Sequence, residues 1–193
     1  MVLAILLAYV VGSIPFALLL AKRAGFDLRK IGSGNIGAAN VMRASGVRIG
    51  VLVALLDVSK GAVGVIIAQR LSTDPTGAAI AGFAAVAGHI YPIWMRFRGG
   101  KGVATACGVC SVLVPAAVPP ALAIFFITVA VTKYVSAGSV LATLIVPPVA
   151  YALGSPAPSV AAASAVATLI VFRHRSNLVR LRAGTERRLG AGA

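Results

Sequence analysis

Residues 1–23 read MVLAILLAYVVGSIPFALLLAKR, and the fold depends on whether this run is a cleaved leader or a membrane span. A secretory leader has a basic start, a short apolar centre and a small-residue cleavage site. Here no basic residue precedes the run, and Lys22-Arg23 follow it directly. About 20 apolar residues suffice to cross the hydrocarbon core as a helix. The run therefore reads as a retained first span.

Similar runs recur along the chain. The expected spans are 2–21, 49–70, 77–94, 103–118, 119–132, 138–153 and 157–172. Pro119-Pro120 is expected to break the chain between the fourth and fifth, because proline lacks an amide donor and restricts the residue before it. Gly154-Ser155-Pro156-Ala157-Pro158 reads as a tight turn. Composition agrees with this reading. Only 11% of residues are charged, against about a quarter in soluble domains, and the mean hydropathy is +0.97. The expected fold is an all-α integral membrane protein. It is a compact bundle of about seven transmembrane helices forming a single domain over 1–193, with a basic tail at 173–193.

The chain holds 18 Lys and Arg against 4 Asp and Glu. Numbering the connections alternately places 22–48, 95–102, 133–137 and 173–193 on one side, with all of these cations except Lys60 and Arg70. By the positive-inside rule that side is cytoplasmic, so the N-terminus is expected outside and the C-terminus inside. The same rule accounts for most of a pI of 11.4. No basic domain stands outside the membrane and no aromatic residues interleave with the cations, so nucleic acid is not an expected partner.

Three glycine-containing segments carry the cations that topology alone does not explain. The first, Ser33 to Arg43, together with Gly32 just before it, sets Gly32, Gly34 and Gly37 at dinucleotide-fingerprint spacing, with Asp57 twenty residues on. That spacing is informative only in a βαβ unit; here membrane spans bracket it. What remains is a glycine-rich turn entering a short helix, whose amides and dipole suit a phosphate, with Arg43 able to add bidentate contacts. The second segment is Gly99-Gly100-Lys101-Gly102-Val103-Ala104-Thr105. A Walker motif would need glycine where Met95 stands, so only a bare-backbone cradle beside a lysine is left. The third places Arg173, His174 and Asn177 where the last span ends. His174 can donate to phosphate or carry a proton near neutral pH. The plainer reading of all three is a set of positive loops that fix topology.

Other candidates are weaker. Cys107 and Cys110 form a C-x-x-C without further ligands and read as small helix residues. His89 suits helix-end packing or catalysis equally. Asp57 and Lys60, three apart in one span, share a helix face and are expected to pair. Intramembrane ionisable groups are also functional candidates.

Taken in order, these residues resemble the bacterial acyl-phosphate:glycerol-3-phosphate acyltransferase family, often called PlsY. The carriers are Gly12-Ser13-Ile14-Pro15-Phe16, Gly32 to Ala38 with Asn40 and Arg43, and Asp57 with Lys60-Gly61. Gly88-His89, Gly99 to Thr105, His174, Asn177 and Gly184-Thr185-Glu186 complete them. One departure is Ala39, where the family usually carries Thr. The resemblance implies transfer of a fatty acyl group from acyl phosphate to the 1-hydroxyl of glycerol 3-phosphate, giving lysophosphatidic acid and phosphate. This is the first step of phospholipid biosynthesis. It implies catalytic roles for Ser33, Arg43, Lys101 and His174. Substrate binding falls to Asn35, Gly37, Asn40, Gly99, Gly100, Gly102, Asn177 and Glu186. Partners are the two substrates and membrane lipid; no metal and no cofactor is expected, and the enzyme is expected to be a monomer of the bacterial cytoplasmic membrane. Neither histidine is followed at the fifth position by Asp, so the soluble-type His-x4-Asp acyltransferase motif is absent. The rival class is an anion transporter or channel. It needs a polar path to the outer face, and only Asp57 and Lys60 penetrate.

Overall fold

The computed structural model describes residues 1–25 and 27–190. The last three residues of the expected tail lie outside that description. The described residues hold ten α-helices and no strand, as a bilayer favours by leaving every backbone donor to be satisfied within its own segment. In chain order they are α1 (Val2–Gly12), α2 (Phe16–Arg23), α3 (Ala38–Ser45), α4 (Val47–Leu71) and α5 (Pro75–Ile90). Then come α6 (Val103–Leu113), α7 (Val118–Thr132), α8 (Val135–Ala152), α9 (Ala157–Arg173) and α10 (Arg175–Arg182).

All seven expected apolar segments are helical, but they are unequal. Five are long and apolar enough to cross a membrane: Val2–Arg23, Val47–Leu71, Pro75–Met95, Pro115–Thr132 and Val135–Ala152. α9 and α10, bent by 56°, make a sixth if read as one span. At 11 residues α6 is too short to cross alone. The expected 103–118 span stops at Leu113, and the break falls at Val114–Ala117, where Pro115 opens a short 3-10 turn. Pro119 and Pro120 do not break the chain; they occupy the first turn of α7, where a missing amide hydrogen costs nothing. Ala157 and Pro158 likewise begin α9 rather than extend the preceding turn.

The first span also departs from a single helix. It is interrupted at Ser13-Ile14-Pro15, and polar groups from elsewhere satisfy the opening. Ser13 Oγ donates to the Val10 carbonyl at 2.7 Å and accepts from Trp94 Nε1 at 2.7 Å. Lys60 Nζ donates to the Ile14 carbonyl at 2.8 Å.

α5 is the central helix, and its buried face is almost all alanine and glycine. Without a hydrophobic force between helices in lipid, small residues let backbones approach and gain dispersion contact. A Cβ at Gly12 would collide with the Ala85 carbonyl, and one at Gly88 with the Tyr9 carbonyl, so α1 and α5 touch backbone to backbone. α4 and α6 repeat the device, Gly61 lying on the Thr105 carbonyl and Gly108 on that of Val58. This packing brings the connections 27–37, 91–102 and 133–134 and the described residues after α9 to one end of the bundle. Exposed Ile93, Trp94 and Phe97 sit on the second of these, in keeping with a membrane–water boundary.

Candidate active site

The three glycine-containing segments, far apart in sequence, meet at that end. The loop before α3 packs on the loop before α6: a Cβ on Gly100 would press on the Ile36 carbonyl and collide with His89 Nε2. Lys101 Nζ donates to Asn177 Oδ1 of α10 at 2.5 Å. Arg43, in the last turn of α3, lies within Coulombic reach of Glu186 and Arg187.

A hydrogen-bonded chain continues from Asn177. Its Nδ2 donates to Glu186 Oε1 at 2.6 Å, and Ser136 Oγ of α8 donates to the same oxygen at 2.8 Å. Arg180 Nε donates to Glu186 Oε2 at 2.7 Å. Burial would raise the Glu186 pKa, but hydrogen bonds from Asn177, Ser136 and Arg180 hold it below its ordinary value. Leu189 N donates to the Lys133 carbonyl at 2.7 Å, which ties the tail to the α7–α8 connection.

Burial pushes Lys101 down to about 8. Glu186 opposes the shift, and the cations Arg180, Arg173 and Arg43 add to it. His174 lies just past α9, where burial and the Lys101 charge push it down to about 4. It is therefore neutral near pH 7. Its Nδ1 sits 2.8 Å from the Ile170 carbonyl, which can only accept. The hydrogen is thereby assigned to Nδ1, which leaves the Nε2 lone pair available as a base.

The other named residues divide by what they touch. Asn40 is buried and fully engaged: Oδ1 accepts from Ser33 N at 2.9 Å, while Nδ2 donates to the carbonyls of Leu28 and Ile31, each at 3.0 Å. It braces the loop and has little left for a ligand. Gly32 and Gly34 are needed there for positive φ, at 59° and 67°. Ser33 is exposed, its Oγ accepting from Asn35 N at 3.4 Å. Gly37 precedes α3 in extended backbone. Gly99 and Gly100 donate their amides to the carbonyls of Ile90 and His89, at 3.0 and 3.2 Å. These two glycines serve close packing, so the amides left for an anion are those of the first turn of α6, with Gly102 as its left-handed cap.

Asp57 and Lys60 pair at 2.8 Å, and His89 Nδ1 lies 3.6 Å from the same Asp57 oxygen. His89 links this cluster to the loop above by packing beneath Gly100. Sequence reasoning did not select Ser136, Arg180 or Arg187. Arg180 stands one helical turn after Asn177, a spacing that could have suggested it; Ser136 and Arg187 carry no such signal.

Fold and site together define an integral membrane protein of packed helices with a cation-rich end holding a neutral histidine. Residues 2–184 match the family described as glycerol-3-phosphate acyltransferase. A glycerol-3-phosphate acyltransferase of Geobacter sulfurreducens is 46% identical over 95% of both chains. One from Geotalea daltonii is 45% identical over 93% of this chain and 92% of that one. Among solved structures, the glycerol 3-phosphate form of PlsY, an integral membrane glycerol 3-phosphate acyltransferase, superposes with a TM-score of 0.94. It has 39% identity over 98% of this chain and 95% of that one. The lysophosphatidic acid form gives 0.92 at 38% identity over the same shares. The chain belongs to the glycerol-3-phosphate acyltransferase family. These relatives lend no support to an anion transporter or channel.

Proposed function

We propose that this chain acylates the 1-hydroxyl of glycerol 3-phosphate to lysophosphatidic acid, with acyl phosphate as donor and inorganic phosphate as leaving group. Family membership supports the acceptor and product. The observation that carries the donor is the charge of the site: Arg43, Lys101, Arg173, Arg180 and Arg187 share this end with one carboxylate among the described residues, that of Glu186. Five cations against one carboxylate leave four positive charges. A phosphate monoester carries about −1.5 to −2 at pH 7, so two phosphates, one per substrate, match that excess.

The reaction needs little covalent chemistry from the protein. The acceptor hydroxyl attacks the acyl carbonyl, the new C–O ester bond forms, and the bond from acyl carbon to phosphate oxygen breaks. Phosphate leaves with the electron pair. Positioning and charge neutralisation supply most of the rate. Arg43, Lys101 and Asn177 hold the acceptor's phosphate. The turn around Ser33, with Asn35 and Gly37, and the first-turn amides of α6 after Gly102 receive the donor. His174 Nε2 or a phosphate oxygen takes the hydroxyl proton. Direct attack is favoured over an acyl-serine, because no base is hydrogen-bonded to Ser33 Oγ among the described residues and a serine nucleophile needs one. Glu186 orients Asn177 and Arg180. The whole chain acts as one domain and as a monomer in the bacterial cytoplasmic membrane, N-terminus out, with the cation-rich end and the C-terminus in the cytoplasm.

The test is phosphate release by the purified protein from palmitoyl phosphate, with and without glycerol 3-phosphate. Release that requires both substrates, with lysophosphatidic acid formed in equal amount, is the expected result. Acylation from acyl-CoA alone would overturn the donor assignment.

A further inference from the structure

Arg173 closes α9 immediately before His174, and no carboxylate among the described residues pairs with it. Its Nε is buried without a hydrogen-bond partner, and its guanidinium lies 5.6 Å from the centroid of the Tyr91 ring. Tyr91 is itself held where α5 ends, Tyr9 Oη donating to its carbonyl at 2.8 Å. All four acidic side chains of the chain are occupied elsewhere. Asp57 pairs with Lys60 and Glu186 with Arg180. Asp27 accepts from Arg29 N, and Asp74 caps α5 at the opposite end of the bundle. The charge of Arg173 is nonetheless felt at the site, where it disfavours protonation of both Lys101 and His174. A guanidinium that is part-buried, stacked and without a counter-ion is costly unless an anion completes it.

We propose that Arg173 binds the phosphate of the acyl donor, with Tyr91 as the platform that orients its guanidinium. The position favours the donor over the acceptor. Arg173 and Tyr91 each end a helix of the bundle, where α9 and α5 reach the cation-rich end. A donor anchored by its acyl chain among the helices presents its phosphate at that level. Glycerol 3-phosphate has no apolar part and needs no such wall. This assignment rests on the reading that the donor is an acyl phosphate. Within it, Lys101, Asn177 and Arg43 serve the acceptor's phosphate and Arg173 the donor's.

The experiment is steady-state kinetics of Arg173→Gln and Arg173→Lys in purified, detergent-solubilised protein, with palmitoyl phosphate and glycerol 3-phosphate varied separately. For Arg173→Gln the KM for palmitoyl phosphate should rise about tenfold or more, as for loss of a charge-assisted pair, while the KM for glycerol 3-phosphate changes less than about twofold. Arg173→Lys, which keeps the charge but loses the planar fork, should fall between Arg173→Gln and the unaltered protein. Should Arg173→Gln fail to fold, as judged by size-exclusion profile and melting temperature, the same split in KM is read from Arg173→Lys. A rise confined to the glycerol 3-phosphate KM would move Arg173 to the acceptor and overturn the proposal, as would unchanged constants for both substrates. If the unaltered protein releases no phosphate from palmitoyl phosphate, the donor reading itself fails, an outcome separate from these.

Discussion

Two polar clusters lie within a few residues of the same loop, and they handle charge in opposite ways. Asp57, Lys60 and His89 are buried among α4 and α5, and their charges close on themselves, with Lys60 also holding the Ile14 carbonyl of the broken first span. At the end of the bundle, Arg43, Lys101, Arg173, Arg180 and Arg187 have, among the described residues, only the carboxylate of Glu186 beside them. A charge cluster that is neutral without a ligand belongs to the fold; one with cations in excess is open to anions. The cost of burying an ion gives this distinction its force at the part-buried Lys101 and Arg173, since an unmatched buried charge persists only where something else matches it. Arg187 is exposed and Arg180 is already paired with Glu186.

Breaking each cluster should therefore give different symptoms. The largest effect is expected from Arg43→Ala, Lys101→Ala and His174→Ala, each of which should cut phosphate release from palmitoyl phosphate by roughly 10²–10⁴-fold. Melting temperatures in detergent should stay close to that of the unaltered protein. Near-normal turnover in all three would sink the site assignment. Asp57→Ala should do the reverse, costing about 3–5 kcal/mol of stability by stranding Lys60. A drop in melting temperature reads this out, and the double replacement Asp57→Leu with Lys60→Met should recover much of it. Loss of turnover at an unchanged melting temperature would erase the contrast between the clusters.

A pH profile sharpens the comparison further. Lys101 acts charged, so activity should be lost as pH rises through about 8, where its proton leaves. His174 acts neutral, so activity should be lost as pH falls toward about 4, where Nε2 takes a proton. Between the two limits a plateau is expected. In the residual activity of Lys101→Arg the upper limb should shift upward, since a guanidinium does not titrate there; an unmoved limb would assign it to another group. The smallest effect concerns Ala39, in the first turn of α3. Ala39→Thr, which adds the hydroxyl that the family resemblance leads one to expect there, should lower the KM for palmitoyl phosphate by roughly two- to tenfold, one net hydrogen bond. Measured constants that do not change would leave that position outside the donor site.

Much of the candidate site, as the structure gathers it, was legible in the sequence, though some residues were picked for a role their contacts do not show. Lys101, Asn177, His174 and Glu186 were selected, and they lie together. Gly99 and Gly100 were selected as a phosphate cradle, yet their amides serve the α5 carbonyls and their missing side chains admit His89 and Ile36. Asn40 was selected as a ligand, yet all its polar atoms brace the loop before α3. In sequence, a glycine that permits close packing and one that cradles an anion look alike. The same holds for an asparagine that braces and one that binds. Pro119-Pro120 misled for a related reason: proline stops a helix from inside but starts one comfortably.

By itself the sequence determined the class, the apolar segments, the side that gathers the cations and the family. Those properties are local or additive, since run length and hydropathy decide insertion and the count of Lys and Arg decides the side. Only the tertiary structure decided which residues are free to act. It matched Glu186 to Arg180 and Asp57 to Lys60 and left Arg173 without a carboxylate among the described residues. It also put the His174 proton on Nδ1 through the Ile170 carbonyl. Burial and partnership are set by chain segments more than 70 residues apart, as at Lys101 and Asn177, and no local pattern carries that information.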